Sequence, residues 1–123
     1  MKLLLDTHVL IWWDNGQRLS LAARKAIKEA DEVFVSAASA WEVAIKTALG
    51  KIATSRSIAV ATAESGFVEL PVTFAHAEHL ATLPGLHRDP FDRVLVAQAI
   101  VEGCALVTRD QSLHQYKVDI IEA

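Results

Sequence analysis

The sequence predicts an α/β fold, a three-layer α/β/α sandwich built on a mostly parallel sheet of four or five short strands. Two observations carry that expectation. Along all 123 residues, apolar runs of strand length alternate with segments whose apolar residues recur at helical spacing, which is the pattern of βα units rather than of hairpins. The punctuation agrees, because Ser20, Ser36 and Thr73 stand where a side-chain oxygen caps a helix, and Gly50 and Gly103 where a helix stops. A chain of this length makes one ordinary domain with a real core.

The elements follow in order. Lys2 to Leu5 reads as the first strand, and Val9 to Trp13 as a helix that stops in the turn Asp14-Asn15-Gly16. Leu21 to Ala30 is a second helix, with Ala22, Ala26, Ile27 and Ala30 at helical spacing. Val33-Phe34-Val35 is a buried strand, and the helix after Ser36 runs to about Leu49. Ser55 to Ser65 is expected to be helical, and Phe67 to Leu70 a strand closed by Pro71. A helix from Thr73 through Leu80 leads to the loop Pro84 to Arg88. Pro90 at a first helical position, preceded by Asp89, then opens a helix to about Glu102. Ala105 to Thr108 is the next strand, a helical turn begins near Asp110, and Val118 to Ile121 is the last strand.

With 52% hydrophobic and 22% charged residues the composition is globular, without repeats or low-complexity segments. The longest uncharged stretches fall far short of the roughly 18 apolar residues a membrane span needs. The N-terminus lacks the pattern of a secretory leader, so a cytoplasmic protein is expected. Cys104 is the one cysteine; with no activating base in view it reads as a structural thiol. A net charge of -3 argues against broad, nonspecific nucleic-acid binding while leaving room for a local basic rim.

Four acids stand where folding alone would place something else. Asp6 and Asp110 follow apolar runs at the carboxyl ends of strands, where open α/β sheets bind ligands. Glu42 has Ala38, Ile45 and Leu49 at i-4, i+3 and i+7, which sets it at the margin of a core-facing stripe. Asp92 borders such a stripe through Leu95, Val96 and Ala99. Each has a bland reading: Asp6 and Asp110 as helix caps, Glu42 in an i,i+4 pair with Lys46, and Asp92 in a first turn favoured by the helix dipole. Brought to one sheet edge, the four would repel one another unless a cation neutralised them. An all-oxygen set suits Mg2+ or Mn2+, and no Cys or His grouping has zinc spacing. Such an ion would serve hydrolysis of a phosphodiester.

The segments Leu3-Leu4-Leu5-Asp6-Thr7-His8, Ser36 to Glu42, His87-Arg88-Asp89-Pro90-Phe91-Asp92-Arg93 and Leu106-Val107-Thr108-Arg109-Asp110 resemble, in order, the successive motifs of PIN domains, nearest those of VapC-type toxins of bacterial toxin-antitoxin pairs. The resemblance covers essentially the whole chain. It implies a PIN-like sandwich and a Mg2+- or Mn2+-dependent endoribonuclease, usually a homodimer, neutralised by a cognate antitoxin. Asp6, Glu42, Asp92 and Asp110 correspond to the family's acidic quartet. Asp6 and Asp92 are then the first choices as direct ligands, Glu42 binds directly or through water, and Asp110 completes the field or a second metal site. Asp89 has three readings: cap, additional ligand, or replacement for one of the four. Thr7 and Thr108 would orient carboxylates.

Lys46, Arg88, Arg93 and Arg109 are placed either to hold RNA phosphates or to form ordinary surface ion pairs. His87 is a candidate for RNA contact or proton transfer, but the five histidines show no triad spacing. The absence of an aromatic ladder points to cleavage at an accessible loop or strand. Of the adjacent Trp12 and Trp13, one is expected in the core and the other on a groove for an antitoxin helix or a dimer seam, unless both pack inside. Two rivals stand beside the nuclease. One is a phosphatase using Asp6 as nucleophile, which lacks the second acid of the Asp-x-Asp pattern of haloacid dehalogenase-like enzymes. The other is a non-catalytic interaction module whose acids only cap helices.

Overall fold

The computed structural model describes residues 1–85 and 89–123. Its order is β1 (Lys2–Leu5), α1 (Thr7–Asp14), α2 (Leu21–Glu29), β2 (Glu32–Ser36), α3 (Ala37–Ala48), α4 (Ile58–Glu64), β3 (Val68–Leu70), α5 (Phe74–Leu80), α6 (Pro90–Glu102), β4 (Ala105–Thr108), a 3-10 turn at Gln111–Gln115, and β5 (Ile120–Glu122). The strands form one sheet in the order β3-β2-β1-β4-β5. Every neighbouring pair is parallel, with Leu3 opposite Val33 on one side and Ala105 on the other. The sheet therefore has five strands and is wholly rather than mostly parallel.

Parallel sheets of this kind are covered on both faces, because each crossover carries helices over one side. Alternation along β1 sorts the two cores. Leu3 and Leu5 join Val33, Val35 and Val107 beneath Val9, Leu10, Ala23, Ile27, Val43 and Ile58. Leu4 and Leu106 point the other way, into Leu95, Val96 and Ala99 of α6. The chain builds outward from β1 through β2 to β3, then returns to add β4 and β5 on the opposite side of β1. Crossovers keep a right hand, so that reversal of direction moves the helices to the other face and opens a crevice between β1 and β4.

Three elements start two or more residues away from expectation, and the other boundaries agree to about one residue. Helix α1 starts at Thr7, capped by Asp6. Helix α4 starts only at Ile58, because the Ser57 hydroxyl accepts the Val60 N–H and makes Ser57 the cap. The last strand is shifted to Ile120–Glu122, where the register with β4 places Ile120 opposite Leu106. At the α6 terminus, Gly103 takes a left-handed φ of 68°, the conformation glycine adopts without steric cost, and ends the helix where predicted. Of the Pro84 to Arg88 loop, residues 86–88 lie outside the described residues, and with them the candidate groups His87 and Arg88. Among the described residues no helix is long and apolar enough to cross a membrane.

Candidate active site

The carboxyl edge of the sheet collects the N-termini of α1 and α3 and of the 3-10 turn, which follow β1, β2 and β4, and that of α6, which runs antiparallel to the β4 it precedes. Three of those termini are capped by acids. Asp6 accepts from the His8 N–H (3.4 Å), Asp89 from the Phe91 N–H (2.9 Å), and Asp110 from the Ser112 N–H (2.9 Å). The bland reading of each as a cap is thus correct, yet it does not exclude the other. The caps share an edge, and Asp6, Glu42, Asp89, Asp92 and Asp110 all line one cavity of about 350 Å3 together with His8, Trp12 and Arg109.

Burial separates the five. Asp6 is 7% exposed and Glu42 only 1%, whereas Asp89, Asp92 and Asp110 are half-buried on the walls. The helical stripe that predicted Glu42 needs correction. The buried face of α3 is Ala38, Ser39, Glu42 and Val43, while Ile45 and Leu49 face solvent. Glu42 lies inside that face, not at its margin, and it can do so because polar partners meet it there. The Thr7 hydroxyl donates to Glu42 Oε1 at 2.7 Å and Lys46 Nζ donates to Oε2 at 2.5 Å. Thr7 has one proton to give and a carboxylate can only accept. The 2.8 Å contact between the Thr7 and Ser39 hydroxyls therefore runs from Ser39, making a relay Ser39 to Thr7 to Glu42. Ser39 was not anticipated, although its place one turn before Glu42 on the same face is the signal that would have found it.

Asp6 is held in the same manner from the other strand. The Thr108 hydroxyl donates to its Oδ2 at 2.7 Å and itself accepts the Asp110 N–H at 3.0 Å, tying the ends of β1 and β4 together. Burial pushes the Asp6 carboxyl above its usual range, against the opposing effect of the Thr108 hydrogen bond. Asp92 is pushed further, to about 8, first by burial and then by the charges of Asp6, Asp89, Glu42 and Asp110. Lys46 answers part of this charge: burial opposes its ionisation, yet Glu42 and, at 3.6 Å, Asp89 raise its pKa.

The other basic candidates divide. Arg93 donates to the backbone carbonyls of Pro84 and Leu80, so it braces the connection from α5 to α6. The Arg109 guanidinium lies over the Trp12 ring, 4.1 Å from its centroid. Trp13 turns instead to Phe67, with ring centroids 5.7 Å apart. Both tryptophans are half-buried against the core, so neither is simply inside or outside. Cys104 is buried, and burial raises its thiol pKa, which suits an unreactive packing residue.

A three-layer α/β fold with a parallel sheet and an acidic pocket at the point where strand order reverses is the class to which the chain belongs. Comparison supplies the family. The PIN domain family matches residues 3–119. Ribonuclease VapC22 of Mycobacterium tuberculosis (strain ATCC 25618 / H37Rv) is 37% identical, over 93% of this chain and 91% of that protein. The chain belongs to the PIN domain family. The same fold recurs in DNA-bound VapBC from Salmonella typhimurium, with a TM-score of 0.74 at 19% identity over 99% of this chain and 98% of that one. It recurs also in VapBC2 from Rickettsia felis bound to a promoter DNA fragment, with a TM-score of 0.71 at 15% identity over 100% and 99% of the two chains.

Proposed function

We propose that the chain is a VapC-type endoribonuclease, the toxin of a toxin-antitoxin pair, hydrolysing RNA phosphodiester bonds in the carboxylate pocket with a divalent metal ion. The carrying observation is that five carboxylates line one pocket in a chain 37% identical to a protein named as a ribonuclease. Among the solved proteins that share the fold is a toxin-antitoxin complex from Klebsiella pneumoniae, which supports a cognate antitoxin as partner. A homodimer and a cytoplasmic location belong to the same reading.

Mg2+ or Mn2+ fits the donor set, which is all carboxylate oxygen and carries mutually unfavourable charge. Among the described residues no three His, Cys, Asp or Glu side chains form a ready-made cage. An ion here would therefore take one or two carboxylates and keep several waters, as Mg2+ commonly does. Asp6 and Asp92 would hold it, with Asp110 and Asp89 on the outer side. When bound, the ion supplies Lewis acidity toward a phosphodiester and lowers the pKa of water. Glu42, locked by Thr7 and Lys46, orients the water that attacks. Thr108 keeps Asp6 aimed into the pocket.

The phosphatase reading finds no support in the family match, and the Asp6 carboxylate already accepts from Thr108 and His8. The test is cleavage of a total-RNA panel with Mg2+, Mn2+ or EDTA by the purified chain and by an Asp6→Asn, Asp92→Asn double variant. Cleavage that needs metal and vanishes in the variant is expected. Cleavage that survives EDTA, or that the double variant retains, contradicts the proposal.

A further inference from the structure

The carboxylates account for part of the pocket lining and leave the rest, His8, Trp12 and Arg109, unexplained. Trp12 is half-buried and its indole is roofed by the Arg109 guanidinium at 4.1 Å, while the His8 ring leans on it from the side at 5.8 Å, tilted by 39°. Arg109 is not a loose surface cation. Its Nη2 donates to the backbone carbonyl of Arg18, fixing the guanidinium from a second direction. It makes no ion pair with a carboxylate among the described residues, although Asp92 and Asp110 line the same cavity.

We propose that the Trp12–Arg109 stack is the base-binding wall of the pocket: it receives one unstacked base of a single-stranded RNA beside the phosphodiester to be cut. This rests on the ribonuclease reading and narrows its substrate class. A guanidinium over an indole at 4.1 Å offers its outer face as a stacking surface, and aromatic rings and arginine planes are the usual platforms for splayed RNA bases. Arg109 has five N–H donors in a rigid fork, and the contact with Arg18 occupies one, so its edge can also meet a phosphate oxygen. Pocket size favours one nucleotide over a duplex. At about 350 Å3 it lies near the lower end of the roughly 300–1,000 Å3 of small-ligand sites. A base inside a duplex has both faces covered and cannot enter. One platform rather than a ladder gives a site that reads a single exposed nucleotide, in a loop or an unpaired strand.

The rival is a guanidinium that merely shields an indole from water. It is separated by fluorescence titration of the full-length chain, carrying Asp6→Asn to suppress cleavage, with a single-stranded RNA oligonucleotide containing 2-aminopurine. Trp12→Ala is expected to weaken binding on the order of tenfold or more, and Trp12→Phe to retain most of it, since a phenyl ring still stacks. Arg109→Lys keeps the charge and an apolar stem over the ring but has no plane, so it is expected to bind severalfold more weakly. Mn2+ affinity, measured on the same variants with Asp6 restored, should stay at the wild-type value and shows that the pocket is folded. RNA affinity within about twofold of the parent in both Trp12→Phe and Trp12→Ala, or in Arg109→Lys, overturns the base wall while leaving the ribonuclease reading in place. If the wild-type chain cuts no RNA and the Asp6→Asn parent binds none, the ribonuclease reading fails and the wall falls with it.

Discussion

Two buried polar clusters in this molecule are built on opposite terms. Between α5 and α6, His76 is 1% exposed; its Nδ1 accepts the Thr73 N–H at 3.0 Å, which puts the ring proton on Nε2, 2.7 Å from Glu102 Oε2. One carboxylate there faces one donor, and the Thr73 hydroxyl accepts the His76 N–H. The pocket at the carboxyl edge gathers five carboxylates, with Lys46 paired to Glu42 and Asp89 and the Arg109 side chain on the same lining. The first cluster closes on itself and stabilises a helix pair. In the second, burial and the crowding of like charges push the Asp92 carboxyl up to about 8, and a group so displaced in a cleft marks a functional site.

The comparison breaks most visibly at the acidic pocket. An Asp6→Asn, Asp92→Asn double variant should lose more RNA cleavage than the roughly 10- to 100-fold that follows loss of an outer partner, while remaining folded by circular dichroism. Thr7→Val comes next: it removes the donor to Glu42 and the acceptor of Ser39, and should lower cleavage or Mn2+ affinity within that 10- to 100-fold range. His76→Ala probes the other cluster. It strands the buried side of Glu102 and the Thr73 N–H, so urea unfolding should show a loss of about 1–3 kcal/mol, with cleavage unchanged wherever the variant is folded. An effect on cleavage by the folded His76→Ala protein would erase the distinction between the clusters.

A pH effect follows from Asp92. Burial and the neighbouring carboxylates push its carboxyl up to about 8 in the folded state, against the ordinary 3.8 of an unfolded chain. Between those values the folded state holds the extra proton, so stability of the metal-free protein falls as pH rises from about 4 and reaches its full penalty above about 8. Asp92→Asn should flatten that part of the thermal melting profile. A metal-free profile with no slope there, or an unchanged slope in the variant, would contradict the electrostatic account.

Much of this was legible in sequence, for local reasons. Caps and stops are local chemistry: Asp89 before Pro90, Ser36 before Ala37 and Gly103 after Glu102 place α3 and α6 before any tertiary contact exists. The edge that Asp6 and Asp110 share follows from the βα alternation, since both end strands of a parallel sheet. What escaped depends on contacts across the fold. The stripe through Ile45 and Leu49 misled because apolarity alone defines the inner face of a helix only when the core is apolar; here Ser39 and Glu42 are inward because Thr7 of α1 meets them. Helix α4 is expected from Ser55 but starts at Ile58 under the Ser57 cap, a start that only the final backbone selects. The stack of Arg109 on Trp12 joins residues far apart in the chain, so no spacing rule encodes it.

The most direct test of the central claim is a calorimetric titration of Mn2+ into the metal-free chain at pH 7, repeated in buffers of different ionisation enthalpy to count protons released. Because Asp92 holds a proton near neutrality and an ion needs carboxylates deprotonated, binding should release a proton, and Asp92→Asn should weaken binding and abolish that release. An absence of Mn2+ binding, or binding with neither proton release nor any response to Asp92→Asn, would contradict the account of this pocket as a metal-dependent nuclease centre.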